Sequence, residues 1–304
     1  MRNIFNAFLF KLKKDLSFRI IGIIGLALAV ILPVILFLID LGISQLNDDG
    51  KITHMLCTGQ SLLVSSWSPT QNFGLAIPIT LITITVLEFT NGTIRNKVIS
   101  GYSKTKIYLG LYFTGLLYTL ALISLYVLVC FGLGCAFGGF DPHGELFSLS
   151  SLGGGNITPD FIWKVIVLSL LAYVVIATMT IFFSTLFRNI GPSIPVVIIL
   201  IIACSALASI TQVLSLFGSE AEEADSMAKL LSGIGKVIKA VNPVHSILVF
   251  DSTTTTEFVN EELNYTTTIG ISWSSFWTQI ANNLVYIAAF FTGGLLIFKK
   301  RDIK

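Results

Sequence analysis

Charge is what this sequence has least of. Of its 304 residues only 12% are charged, against 54% that are hydrophobic, and the mean hydropathy is +0.83. An ordinary soluble domain carries roughly a quarter of charged residues. A fold facing water on every side could not cover itself so sparsely. The composition excludes a disordered chain, a nucleic-acid binder and a cytosolic enzyme. It fits a chain whose main solvent is lipid.

Catalytic and metal-binding patterns are also missing. The four cysteines form no CxxC and no Cys/His cluster of metal spacing. Cys130, Cys135 and Cys204 lie in apolar stretches and read as small fillers. Cys57 sits alone in a polar loop, and a Cys57–Cys135 disulfide is open if both lie at the outer face. His54, His143 and His245 are far apart. No GxSxG nucleophile turn occurs. The nearest thing to a P-loop is Gly233-Ile234-Gly235-Lys236-Val237. It has Leu230 where the first glycine is needed and Val237 where Ser or Thr should hold Mg. No cofactor is therefore expected on this chain.

What is present is a series of long apolar runs. About 20 apolar residues cross the hydrocarbon core as a helix. Six runs qualify, at 20–41, 72–89, 108–137, 161–187, 192–217 and 276–298. Pro33 kinks the first, Pro78 lies in the second, and Pro192 suits a helix start. The fold class expected is an all-α polytopic membrane protein with six transmembrane helices. The first run is too long for a signal peptide and no small-residue cleavage site follows. The whole of 1–304 reads as one membrane domain without a soluble appendage.

Orientation follows from Lys and Arg. Fourteen of the 19 basic residues fall before 20, in 90–107, at Arg188 and after 298. Only Asp15, Glu88 and Asp302 are acidic on that side. The positive-inside rule puts both termini in the cytoplasm, as an even number of crossings demands. The outer loops are 42–71, the Gly/Ser-rich 138–160, and the long 218–275. That last segment begins acidic and continues as an amphipathic helix over 227–241. Its threonine runs at 253–256 and 266–268 are β-prone or irregular. Trp273, Trp277 and Tyr265 fit an aromatic belt. Residues 1–19 carry Ile4, Phe5, Phe8, Leu9, Leu12 and Leu16 on one helical side. They form either an interfacial helix or a solvated lead-in.

The spans hold almost no ionisable residue. Asp40, Glu88 and Lys164 stand near span ends, within reach of the interface by snorkelling. Charges deep in a span mark ion pathways, so the chain shows no fuel of its own. The segment 88–107 is the place where another protein could act. Thr93 could cap a short helix, Gly101 could end it in a left-handed turn, and Ile94, Val98 and Tyr102 share a face. A basic loop without a partner is the equal alternative from spacing alone.

The stretch EFTNGTIRNKVISGYSKTKIYLGLY, residues 88–112, resembles the acidic, Gly-Thr, basic-Asn and G-x-S-K/R-x-K-I pattern after the second span of type-2 ABC transporter permeases. The end FKKRDIK is similar to the short tail after their last span. The layout matches too, with an amphipathic start, six spans and a long outer segment before the sixth. The resemblance implies a dimer of such chains, homo- or heteromeric, in the cytoplasmic membrane of a bacterium, exporting a peptide, drug, lipid or ion. Each chain would bind a cytosolic ABC ATPase subunit that carries the ATP and Mg. Carried over, Glu88, Gly92, Thr93, Arg95, Asn96 and Gly101 would couple to that ATPase, aided by Lys104 and Lys106. The family often has Arg where Lys104 stands, and the two differ at bidentate sites. A stand-alone carrier or channel, or a membrane scaffold that transports nothing, are the other readings.

Overall fold

The computed structural model describes residues 7, 10, 16–46, 57–67, 76–140, 155–157, 159–219, 233–235, 237, 238, 242, 252–258 and 265–300. Eight helices and three strands follow in chain order. They are α1 (Leu16–Leu46), α2 (Gly59–Ser66), α3 (Ala76–Thr90), α4 (Thr93–Ile99) and α5 (Lys104–Gly138), then β1 (Gly155–Ile157), α6 (Pro159–Phe187), α7 (Ile190–Ser219), β2 (Ser252–Phe258), β3 (Tyr265–Ile271) and α8 (Trp273–Lys300). Five helices, α1, α5, α6, α7 and α8, are long and apolar enough to cross a membrane. Each contains one of the expected runs and overshoots it by a few residues. The second run is different. Its described helix, α3, has 15 residues and so a length of about 22 Å. That is short of the hydrocarbon thickness of about 30 Å. It bends by 53° into α4.

The bundle has two chemically distinct ends. At one lie α4, the start of α5 and the end of α8, rich in Lys and Arg. At the other β3 pairs parallel with β1 and antiparallel with β2, in register Asn156↔Thr268 and Thr255↔Thr268. The strands take up the threonine-rich stretches and are the one departure from an all-helical chain among the described residues. The expected helices at 1–19 and 227–241 lie mostly outside the described residues, as do the three histidines, the acidic run at 220–225 and the tail beyond Lys300. At the edge of the second of these, Asn242 is buried and its Nδ2 donates to the Cys204 carbonyl on α7 at 2.7 Å.

In a medium without water, hydroxyls within helices need internal acceptors. Thr114, Thr119, Thr178, Thr180 and Ser184 each donate to the carbonyl four residues back, at 2.7–2.9 Å. This arrangement lets polar residues line helix contacts at little cost. The proline in α1 is handled across a helix boundary. Pro33 has no N–H, so the Ala29 carbonyl loses its usual donor. The Cys130 thiol of α5 lies 3.5 Å from that oxygen and takes its place. Gly25, Ala29 and Pro33, all buried, form the narrow stripe by which α1 meets the bundle. Near the sheet end Phe37 stacks on Phe137 with centroids 4.8 Å apart.

The segment before α2 is pinned to α1 as well. The Cys57 N–H donates to Asp40 Oδ2 at 2.8 Å, and the Cys57 thiol to the Pro33 carbonyl at 3.3 Å. All four cysteines are free thiols, so the Cys57–Cys135 bridge is not formed. Burial, with the Asp40 carboxylate adding to it, pushes the Cys57 thiol up from 9.0 to about 11. The folded state therefore holds this proton more tightly than the unfolded state. The associated stability is complete below pH 9 and is lost as the pH rises through 11. Cys57 should thus resist maleimide at pH 7.5 in the folded protein and react in denaturant. Mass spectrometry of the labelled peptide reads the difference, and rapid native labelling of Cys57 would contradict this packing.

The three charges expected to snorkel do not. Asp40, Glu88 and Lys164 are 1%, 1% and 3% exposed. Each turns inward because a specific partner is there. Lys164 Nζ donates to the Ile271 carbonyl at 2.9 Å and sits 4.2 Å from the centre of the Trp273 ring. Those contacts fasten the end of β3 to α6.

Candidate functional site

At the basic end the chain leaves α3, turns, runs through α4 and turns again into α5. Gly92 makes the first turn. It occupies the N-cap of α4 with φ 65°, ψ 9° and offers no side-chain cap, a backbone state open to glycine without strain. The expected Thr93 cap does not form. Thr93 is the first helical residue, and its hydroxyl reaches back to the Glu88 carbonyl at 2.9 Å. A capping acceptor must precede the N–H groups it serves, and here the bend puts the hydroxyl over the end of α3 instead. The last turn of α4 is closed as expected. Gly101 has φ 85°, its N–H donates to the Val98 carbonyl at 3.0 Å, and that of Tyr102 to Lys97 at 3.2 Å. This is a Schellman closure. Ser103 then caps α5, accepting from the Lys106 N–H at 3.4 Å.

An ion pair braces the bend from inside. Lys97 Nζ lies 3.2 Å from Glu88 Oε2, with the carboxylate side chain almost wholly buried. Below α4, Ile94 is buried among Ile107, Tyr108, Leu111 and Phe298, with Phe89 and Val98 packed at the edge. Tyr108 fits against a bare stretch of α8. A Cβ on Gly294 would overlap the Tyr108 hydroxyl, which donates to the Phe291 carbonyl at 3.4 Å. Lys104 Nζ closes the ring by donating to the Lys299 carbonyl at 3.2 Å, an interaction that also suits the negative end of α8. Arg188, after α6, places its guanidinium 5.1 Å from the Phe89 ring centre.

The predicted residues therefore divide into two groups. Glu88, Gly92, Thr93, Gly101 and Lys104 build the scaffold. Arg95, Asn96 and Lys106 are exposed on its outer side. Two further side chains complete that surface: Ile99 is 73% exposed and Tyr102 38%. Tyr102 shares no buried contact with Ile94, contrary to the single apolar face expected from spacing, because the Gly101 turn swings it out. Lys97 was not expected as the partner of Glu88. The two are nine residues apart across a break, and no helical period connects them. Only the buried acid itself, with a basic residue close by in sequence, hints at the pair. The surface presents apolar and basic groups side by side. No group of three or more His, Cys, Asp or Glu that could hold a metal occurs among the described residues.

Apolar helices of membrane-crossing length and a braced polar turn define a polytopic membrane protein. Residues 63–304 match the family described as protein of unknown function (DUF2705), and the chain belongs to that family. No curated protein and no solved structure matches it.

Proposed function

We propose that this chain is the membrane subunit of an ATP-binding-cassette exporter, driven by a separate cytosolic ATPase that docks on α4 and the turn following it. The observation that carries the reading is the pairing of an exposed Ile99 and Tyr102, ringed by Arg95, Asn96 and Lys106, with a buried brace beneath. An isolated apolar residue at a surface needs no explanation. One held on a helix that is pinned to α3, α5 and α8 at once can pass a push on. The basic end then faces the cytoplasm with both termini, by the positive-inside rule, and the chain crosses the membrane six times. ATP and Mg belong to the partner, and two such chains, alike or unlike, make the conduit in a bacterial cytoplasmic membrane. Rigid-body rocking of the bundle would expose the pathway alternately.

Buried charge speaks less for a carrier driven by an ion gradient. Asp40 and Lys164 are engaged by backbone groups near the sheet end, and Glu88 is paired at the other. None stands alone at mid-depth, where a coupling site would be sought. The test is purification of the full chain from its native membrane in mild detergent, with ATPase activity and subunit composition measured. The wild type should bring an ATPase with it, and Ile99→Asp or Arg95→Glu should reduce the retained activity at least tenfold while the chain stays monodisperse. Equal retention by those variants, or substrate flux from the purified chain alone, would refute the proposal.

A further inference from the structure

We infer that residues 233–242, between α7 and β2, re-enter the bilayer, with Asn242 near its mid-depth and the Ile234 and Val237 side chains against acyl chains. The inference goes beyond the exporter reading and holds whether or not an ATPase docks on α4.

The first observation fixes two levels in the bundle. At the basic end the Phe89 ring lies 5.9 Å from that of Phe298, near the end of α8, and 5.1 Å from the Arg188 guanidinium just after α6. Arg188 and Phe298 therefore mark one level. At the sheet end the rings of Trp163 on α6 and Trp273 on α8 lie 5.7 Å apart. Each is about 37 Å from the lower level along its own helix, so two helices give the same height independently. Exposed tryptophans at one end and exposed Lys299 and Lys300 at the other suit the two faces of a membrane. A hydrocarbon core of about 30 Å fits between them.

The second observation places Asn242. The residue is buried, and its Nδ2 donates to the Cys204 carbonyl at 2.7 Å. Cys204 is about 21 Å along α7 from Ile190, at the basic end. Its packing gives the same height. Cys204 is buried with Ala172 and Ile176 of α6, which stand about 24 and 18 Å above Arg188. Asn242 is therefore held near the middle of the bundle, about 16 Å below the tryptophans. A segment lying on the outer surface could not reach that carbonyl.

The third observation is what leads up to Asn242. Residues 233–235, 237 and 238 are helical, and the Asn242 N–H donates to the Ile238 carbonyl at 3.0 Å. At helical spacing Gly235 and Ile238 share the side of Asn242, and both are half-buried, whereas Gly233, Ile234 and Val237 are exposed. The segment thus packs one side on the bundle and leaves the other open. Val237 lies within about 8 Å of Asn242 along the helix, so it stays below the tryptophans however the helix is inclined. It is 63% exposed, and Ile234 44%. Large apolar side chains so open to water would be costly, but at this depth the solvent is acyl chain. Lys236 and Lys239 interrupt the apolar positions in the sequence, which is why hydropathy alone sets the segment at the outer surface. Charged groups within a bilayer turn to protein or water.

The test uses the full chain in nanodiscs, with a nitroxide attached to Val237→Cys. The wild type is treated alike to give the background from the native thiols. Collisions of the nitroxide with oxygen, which enters the acyl region, are compared with collisions with nickel ethylenediaminediacetate, which stays in water. Val285→Cys on α8, at an exposed position about 20 Å above Phe298, is the mid-depth standard, and Trp273→Cys the interface standard. Val237→Cys should resemble Val285→Cys, with frequent oxygen collisions and a loss of nickel collisions. Ile234→Cys, farther from Asn242, should fall between the two standards. Nickel collisions at both positions as frequent as at Trp273→Cys would put the segment in water and overturn the inference. Because no ATPase takes part, that result would leave the docking surface at α4 standing, and loss of ATPase retention would leave this segment where it is.

Discussion

Gly134→Val should strip α2 from the bundle. A Cβ at position 134 would lie 2.8 Å from Leu62 Cδ1, 2.9 Å from the Thr58 carbonyl oxygen and 3.1 Å from the Gly59 Cα. The first neighbour can rotate away, but the other two are backbone. Forcing extra atoms into a packed contact costs about 1–3 kcal/mol where side chains can adjust, and here the helix itself must move. With α2 displaced, Leu62 and Cys57 lose their burial, and the bonds from Cys57 to Asp40 and Pro33 go with them. The variant should show a lower unfolding temperature in detergent and should expose Cys57 to maleimide at pH 7.5. Gly134→Ala should show the same signs more weakly. Wild-type stability together with a protected Cys57 in Gly134→Val would mean that α2 does not lie where the structure has it.

Lys97→Met should have the next largest effect. It removes the ion-pair partner of a carboxylate that is 1% exposed while keeping the length of the aliphatic stem. Deleting one member of a buried pair costs about 3–5 kcal/mol, most of it the penalty on the charge left behind. Part of the Lys97 side chain is in contact with solvent, which puts the expected loss at the lower end of that range. Lys97→Arg keeps the charge and should recover most of the stability. The double variant Glu88→Gln, Lys97→Met should be more stable than Lys97→Met alone, since it removes the stranded charge. Thermal unfolding of the wild type, Lys97→Met, Glu88→Gln and the double variant forms a double-mutant cycle, and a coupling near zero would show that the pair does not brace the bend. If ATPase retention falls in Lys97→Met and returns in Lys97→Arg, the brace and the docking surface act together.

Five of the membrane-length helices were legible from the sequence to within a few residues. Continuous apolar runs leave a chain in lipid no other way to satisfy its backbone. Of the second run, expected at 72–89, residues 76–89 are helical in α3 and its first residues lie outside the described ones. The short α2 was invisible. It is polar at several positions and holds its place through Gly59 and Gly134, whose role depends on two distant segments meeting. The snorkelling expected of Lys164 is the general tendency of a long charged side chain at a span end. It yields here to a carbonyl from β3, which no local pattern foretells. In the candidate site, the turn at Gly101 was readable because glycine has few substitutes at positive φ, while the turn at Gly92 was not, because the cap was expected at Thr93. The division between Glu88 inside and Arg95 outside was not, because the bend of α3 into α4 breaks the period on which facing is judged.

The slender seam of Gly25, Ala29 and Pro33 has a consequence of its own. A first crossing that touches its neighbours along so thin a line leaves most of its circumference to acyl chains. The host bilayer's thickness and order therefore enter the free energy of this helix more directly than that of α6, which is wrapped by protein on nearly every side. The thiol of Cys130, the Phe37–Phe137 stack and the bonds from Cys57 are the few stitches along this loosely jacketed rod.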